Sequence, residues 1–246
     1  MEKSIKITLI IVLGVLLSVL IISNSFGNLF QGQGKTVSAE GISEVKAMPN
    51  LVSVYFNVET KAKTSENATR LNAEMVNELK SNLIAKGFDE EKITTQSFNV
   101  YPDYEWTNGK QVDNGFVATH SIKVEMSASE SEKIGQAIDA GVSAGAGISY
   151  INFELTQEKQ NEYKAEAISL AAQDAKIKAQ ATASGLGQEI GELVSVQSDD
   201  FGYYPWNAYS GSGRAEDAVS AKVEATSITP SEQEITARVT AVFKLK

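Results

Sequence analysis

The chain has 246 residues, 42% of them hydrophobic and 22% charged, which suffices for a sizeable core in one large domain or two small ones. A formal charge of −9, with arginine only at Arg70, Arg214 and Arg238, leaves no basic stripe for phosphates and argues against a nucleic-acid partner. The absence of cysteine excludes disulfides and cysteine-linked lipid, and a single histidine, His120, excludes a His/Cys transition-metal cluster.

The N-terminus is the most distinctive segment. Between Lys6 and Lys35 no charged residue occurs; residues 7–22 are apolar apart from Thr8, Gly14 and Ser18, and adding residues 23–29 brings the stretch to spanning length. About 20 such residues cross the ~30 Å hydrocarbon layer of a bilayer. Residues 1–30 therefore read as an N-terminal transmembrane helix or signal anchor. Lys3 and Lys6 would stay on the cytoplasmic side, which puts the body outside the cytoplasm, at the cell surface or in a periplasm. A cleaved signal peptide is the competing reading, and it would make the protein secreted. No Ala-x-Ala precedes Gln31, so a retained anchor is favoured. Residues 31–35 read as a flexible tether and 36–246 as the body.

Thr36 to Val45 is a weak strand candidate. Val52, Val54, Phe56 and Val58 alternate with polar neighbours, the period of a half-buried strand. From Ser65 the period changes. Ala68, Leu71, Met75, Val76, Leu79 and Leu83 line one helical face, and Lys86-Gly87 supplies the stop. Strand residues Ile93 to Tyr101 follow, then two turn signals, Asn108-Gly109 and Asn114-Gly115, then a returning strand from Phe116 to Met126. Ser129 with Glu132 fits a capping box for a short helix over Ile134 to Val142.

Ile151, Phe153 and Leu155 mark another strand. The alanine-rich run after Tyr163 predicts a long helix with two apolar strips, one through Ile168, Ala172, Ala175, Ala179, Thr182 and Leu186, the other through Ala167, Leu170, Ile177 and Ala181. Small residues on such a face permit close backbone approach. Strands over 189–197, 219–227 and 235–245 complete the chain. The fold class is α+β, with antiparallel sheets and long helices packed on one face. A strand-helix-strand-strand order that recurs twice predicts internal duplication of that unit.

Two segments concentrate aromatic rings. Tyr101, Tyr104 and Trp106 lie in the first; Phe201, Tyr203, Tyr204, Trp206 and Tyr209 lie in the second. Both read as ring-rich loops offering large contact area at little entropic cost, suited to subunit contact and self-packing or, secondarily, to a glycan or peptide ligand. Catalytic signals are poor. No Gly-x-Ser-x-Gly occurs, and "GVSAGAG" lacks the lysine of a phosphate loop. His120 falls on the Ala118, Ile122, Val124 face of its strand and reads as a partly buried structural residue. Asp89-Glu90-Glu91 and Asp199-Asp200 read as solvated turns rather than calcium ligands. No cofactor is implied. Asn67-Ala68-Thr69 satisfies the N-glycosylation pattern at Asn67, on the first turn of a helix.

Five segments in order, "SAEGISEVKAMPNLVSVYFNVET", "LIAKGFDEEKITTQSFNVYPDYEW", "GFVATHSIKVEM", "AGAGISYINFEL" and "KAEAISLAAQDAKIKAQATASGLGQEIGELVSV", together resemble the SIMPL domain, or DUF541, family over residues 36–246. The resemblance implies an exported or envelope protein, in bacteria often periplasmic and sometimes linked to stress tolerance or antigenicity, with no established enzymatic activity and no catalytic residues to carry over. The kinase association behind the family's name belongs to a cytoplasmic setting that an exported body would not meet. The expectation is a non-enzymatic, membrane-anchored, self-associating protein with a homo-oligomeric state. The alternative is an envelope module that grips a glycan or peptide with its aromatic loops.

Overall fold

A computed structural model describes residues 35–130, 132–199, 202–214 and 230–246. The anchor over 1–30, most of the tether, Phe201 and the strand expected over 219–227 lie outside the described residues. Eight strands and three helices are described: β1 Thr36–Ala47, β2 Leu51–Ala62, α1 Ser65–Ala85, β3 Ile93–Thr107, β4 Lys110–Ser127, α2 Glu132–Ser143, β5 Gly147–Glu154, α3 Gln157–Gly185, β6 Ile190–Ser198, β7 Trp206–Ser210 and β8 Gln233–Leu245. The fold is mixed α/β with antiparallel sheets. The chain divides into two compact units, one holding residues 44–166 and 202–236 and the other holding 35–43, 167–199 and 237–246 where described.

The larger unit is built on a five-stranded sheet of order β3-β4-β2-β5-β7. The alternation read in β2 holds: Val52, Val54, Phe56 and Val58 are fully buried, opposite Met126, Val124, Ile122 and His120 of β4. Helices α1 and α2 cover this face with Val76, Leu79, Leu83, Ile134 and Ile138. Each such aliphatic or aromatic side chain contributes about 1.5–3 kcal/mol when taken from water. Gly141 of α2 lies against the Phe56 ring, leaving no room for a Cβ.

The termini of α1 follow from its sequence. Thr64 is the N-cap, its hydroxyl accepting from the Asn67 N–H, and Gly87 adopts φ +83°, the left-handed conformation that glycine tolerates. The expected capping box before α2 does not form among the described residues. Ser129 sits in a 3-10 turn, Ala128–Glu130, with its hydroxyl 2.7 Å from that of Ser127.

The smaller unit has a three-stranded sheet of order β1-β8-β6 and the C-terminal part of α3. Its packing differs from the expected strips. Ala167, Ala171, Ala175, Ala179 and Ala183, each four residues from the last, are fully buried, whereas Leu170, Ile177 and Leu186 face water. The reason is proximity. Gly41 of β1 lies so near the Ala171 carbonyl and the Ala175 backbone that even a methyl group has no space, and only alanines let strand and helix meet this closely. Polar contacts finish the seam: Ser43 donates to the Ala167 carbonyl at 2.6 Å, and the Ile42 N–H donates to Asp174 Oδ2 at 2.9 Å.

The expected strand, helix, strand, strand order is seen once as β2-α1-β3-β4; the second set begins β5-α3-β6, and the returning strand expected over 219–227 lies outside the described residues, with β8 following it. The first four elements share one sheet system. In the second set, β5 belongs to the five-stranded sheet, while β6 and β8 belong to the three-stranded one.

Candidate functional site

The first ring-rich segment is a strand, not a loop. β3 runs through Pro102 to Thr107, and the hairpin closes at Asn108 and Gly109, whose φ of 50° and 73° are those of a tight two-residue turn matched to strand twist. Pro102 is tolerated because β3 is an edge strand and needs no ladder on its outer side. The second turn signal, Asn114-Gly115, marks a break in register beside Asp103 and Tyr104, where Asp113 Oδ1 accepts from the Gly115 N–H at 2.8 Å. Tyr101, Tyr104 and Trp106 therefore project from a long hairpin arm. Trp106 is 71% exposed.

The second segment behaves differently. Tyr209 is in the core, and Trp206 lies 5.4 Å from the Phe153 ring in a tilted stack. Tyr203 accepts from the Leu155 N–H at 2.6 Å, and burial, outweighing that hydrogen bond, raises its phenol pKa. Tyr204 alone of the four described rings here is well exposed. The two ring sets sit on β3 and beside β7, opposite edges of one five-stranded sheet. At ~4.8 Å per strand step the edges are about 19 Å apart, so the rings do not converge on a common ligand.

Two further places were not signalled by any motif. One is the edge of the three-stranded sheet at β6. Every residue from Glu192 to Ser198 is exposed, including Leu193, Val194 and Val196, the last at 58%. Among the described residues no strand pairs with the outer side of β6. The opposite edge of that sheet, β1, is closed by α3: Asp174 takes the Ile42 N–H, and Lys178 donates to the Glu40 carbonyl at 3.2 Å. Lys178, with the Ile42 N–H, holds the Asp174 carboxyl below its usual pKa.

The other place is His120. Asn72, fully buried on α1, donates its amide to the carbonyls of Val58 and Ala118 at 2.9 and 3.1 Å. Those two bonds use both amide hydrogens and fix Oδ1 toward His120 Nδ1, 3.3 Å away. His120 Nδ1 must then carry the proton, and Nε2 accepts from the Thr95 hydroxyl at 2.9 Å. The Phe98 ring lies 5.2 Å from the imidazole. Burial first, and the Lys80 ammonium second, lower the pKa of His120.

Among the described residues no three His, Asp or Glu side chains converge on a metal position. Asp89 is occupied as the cap of a 3-10 turn, accepting from the Glu91 N–H at 3.0 Å. Asn67 is exposed on the first turn of α1. Among the described residues no helix is long and apolar enough to cross a membrane.

These features define a mixed α/β chain with antiparallel sheets. The chain belongs to the SIMPL family, described as a protein of unknown function (DUF541), whose model matches residues 37–243. It is 24% identical over 173 residues to "Uncharacterized protein YggE" of Escherichia coli K12, covering 70% of this chain and 69% of that protein. The protein of the same name from Edwardsiella ictaluri is 25% identical over 166 residues, covering 67% and 68%.

Proposed function

We propose that this SIMPL-family chain is a non-enzymatic protein, anchored in a membrane through residues 7–29 with its body outside the cytoplasm, that works in the cell envelope by associating with copies of itself. The anchor reading is supported by the uncharged run from Ile7 to Leu29 behind Lys3 and Lys6. Anchoring confines copies to two dimensions and raises their effective concentration. The observation that carries self-association is the β6 edge, which no strand pairs among the described residues and which offers backbone donors and acceptors beside exposed Leu193, Val194 and Val196, while Asp174 and Lys178 of α3 cap the other edge of the same sheet. The small-residue face of α3 does not serve, because its alanines are buried within the chain. The twofold element order read from the sequence is consistent with an ancestral duplication followed by divergence of the sheets.

Size-exclusion with light scattering on residues 35–246 tests the reading. Assemblies larger than a monomer are expected. Val196→Lys, which places a charge on the exposed edge, should weaken association about tenfold, equivalent to ~1.4 kcal/mol. A strict monomer at high concentration would remove the proposal.

A second reading has its own support in the hairpin rings. Tyr101, Tyr104 and Trp106 are exposed and suited to stacking on a glycan or peptide without help from the β7 rings. A change in Trp106 fluorescence with cell-wall fragments, independent of protein concentration and absent in Trp106→Phe, would favour it.

A further inference from the structure

Beside His120 is a cleft of about 340 Å³, within the larger unit, between α1 and the β3-β4 pair. That volume is at the lower end of the ~300–1,000 Å³ typical of small-molecule sites. Val76 and Ala73 of α1 and the half-exposed Phe98 ring supply apolar lining; Lys80, Asn77 and Thr69, also on α1, supply polar lining. Lys80 has no carboxylate within ion-pair distance among the described residues. The cleft thus pairs a cation that has no carboxylate partner among the described residues, and neutral hydrogen-bonding groups, with apolar lining, in a chain that is acidic overall.

We propose that this cleft binds a small monocarboxylate with an apolar body, its carboxylate on Lys80 and its body against Phe98 and Val76, and that binding is coupled to protonation of His120. The site is separate from the surfaces proposed for self-association. The coupling follows from the hydrogen-bond chain. Asn72 Oδ1 can only accept, so His120 Nδ1 keeps its proton in either charge state, and the second proton arrives at Nε2. The Thr95 hydroxyl then turns from donor to acceptor without moving its oxygen.

Lys80 is the charged group that opposes this protonation from α1. The residues facing the imidazole from β3, Thr95 and Phe98, and from β2, Val58, carry no charge. A carboxylate seated on Lys80 cancels the repulsion and stabilises the imidazolium. Reciprocally, a protonated His120 strengthens anion binding. Affinity should therefore rise as pH falls.

His120 is the only histidine, so its ring resonances in an NMR spectrum of the full chain in non-ionic detergent are unambiguous. The probe is sodium benzoate, with benzamide as its uncharged counterpart. Benzoate at fixed pH near neutrality is expected to move the imidazole signals toward the cationic form, with affinity rising about tenfold from pH 8 to pH 5, an ordinary scale for coupled sites. Lys80→Gln should abolish the response, and His120→Gln should retain benzoate binding but lose its pH dependence. The proposal is overturned if benzoate leaves the resonances unmoved, if benzamide moves them equally, or if Lys80→Gln still responds.

Discussion

The two compact units achieve order by different physical means. The larger one stacks bulky side chains: Phe56, Phe153, Leu79, Leu83, Ile134 and Ile138 are all buried in one apolar cluster of sheet and helices. The smaller one has little bulk to bury. Its helix meets β1 through alanines and a glycine, with Val37, Ala241 and Phe243 as the main apolar complement, and it leaves Ile177, Leu186, Leu193 and Val196 in water. A core of volume tolerates small adjustments, whereas a seam of close backbone contact tolerates removal of atoms better than their addition.

The contrast can be tested by substitution. Phe56→Ala, in the bulky core, should cost about 4 kcal/mol in urea unfolding, the transfer and cavity loss of a buried ring. Gly41→Ala adds a single methyl group in the thin unit and should still cost about 3 kcal/mol, because the atoms in its way are backbone. A near-neutral Gly41→Ala would mean that β1 and α3 are not in intimate contact. Val196→Lys should leave unfolding stability within about 0.5 kcal/mol of the parent, since the side chain is already exposed. Its effect belongs to association alone.

The smallest effect is one of pH. His120 is held below its ordinary pKa of 6.5 in the folded chain, so the unfolded chain binds the proton more readily. The associated stability is complete above about pH 6.5 and is lost as pH falls through the lower folded value. Urea midpoints at pH 7.5 and pH 5 should therefore fall further for the parent than for His120→Gln. Equal slopes would show that the imidazole is not opposed by its surroundings.

Much of the fold was legible where contrast in the sequence is strong. The period-two run Val52 to Val58 and the α1 face from Ala68 to Leu83 are found where expected, because apolar and polar residues alternate sharply there. Three features escaped. The buried strip of α3 consists only of alanine, so hydrophobicity pointed instead to the larger Leu170, Ile177 and Leu186, which face water. The extension of β3 through Pro102 was masked by a residue that usually ends strands, and only its edge position makes it admissible. The Asn72-His120-Thr95 chain joins residues 48 and 25 positions apart, with no local pattern to announce it. Of the candidate contact rings, sequence alone could not separate the exposed Trp106 from Tyr209, whose partners come from strands distant in the chain.

The most direct test of the self-association account is hydrogen-deuterium exchange of the β6 amides at low and high protein concentration. Of the amides from Glu192 to Ser198, those turned away from β8 should exchange quickly when dilute and slow markedly as concentration rises, while those of the β1 edge held by α3 change little. Concentration-independent exchange in β6, whether the protein stays monomeric or assembles elsewhere, would contradict it.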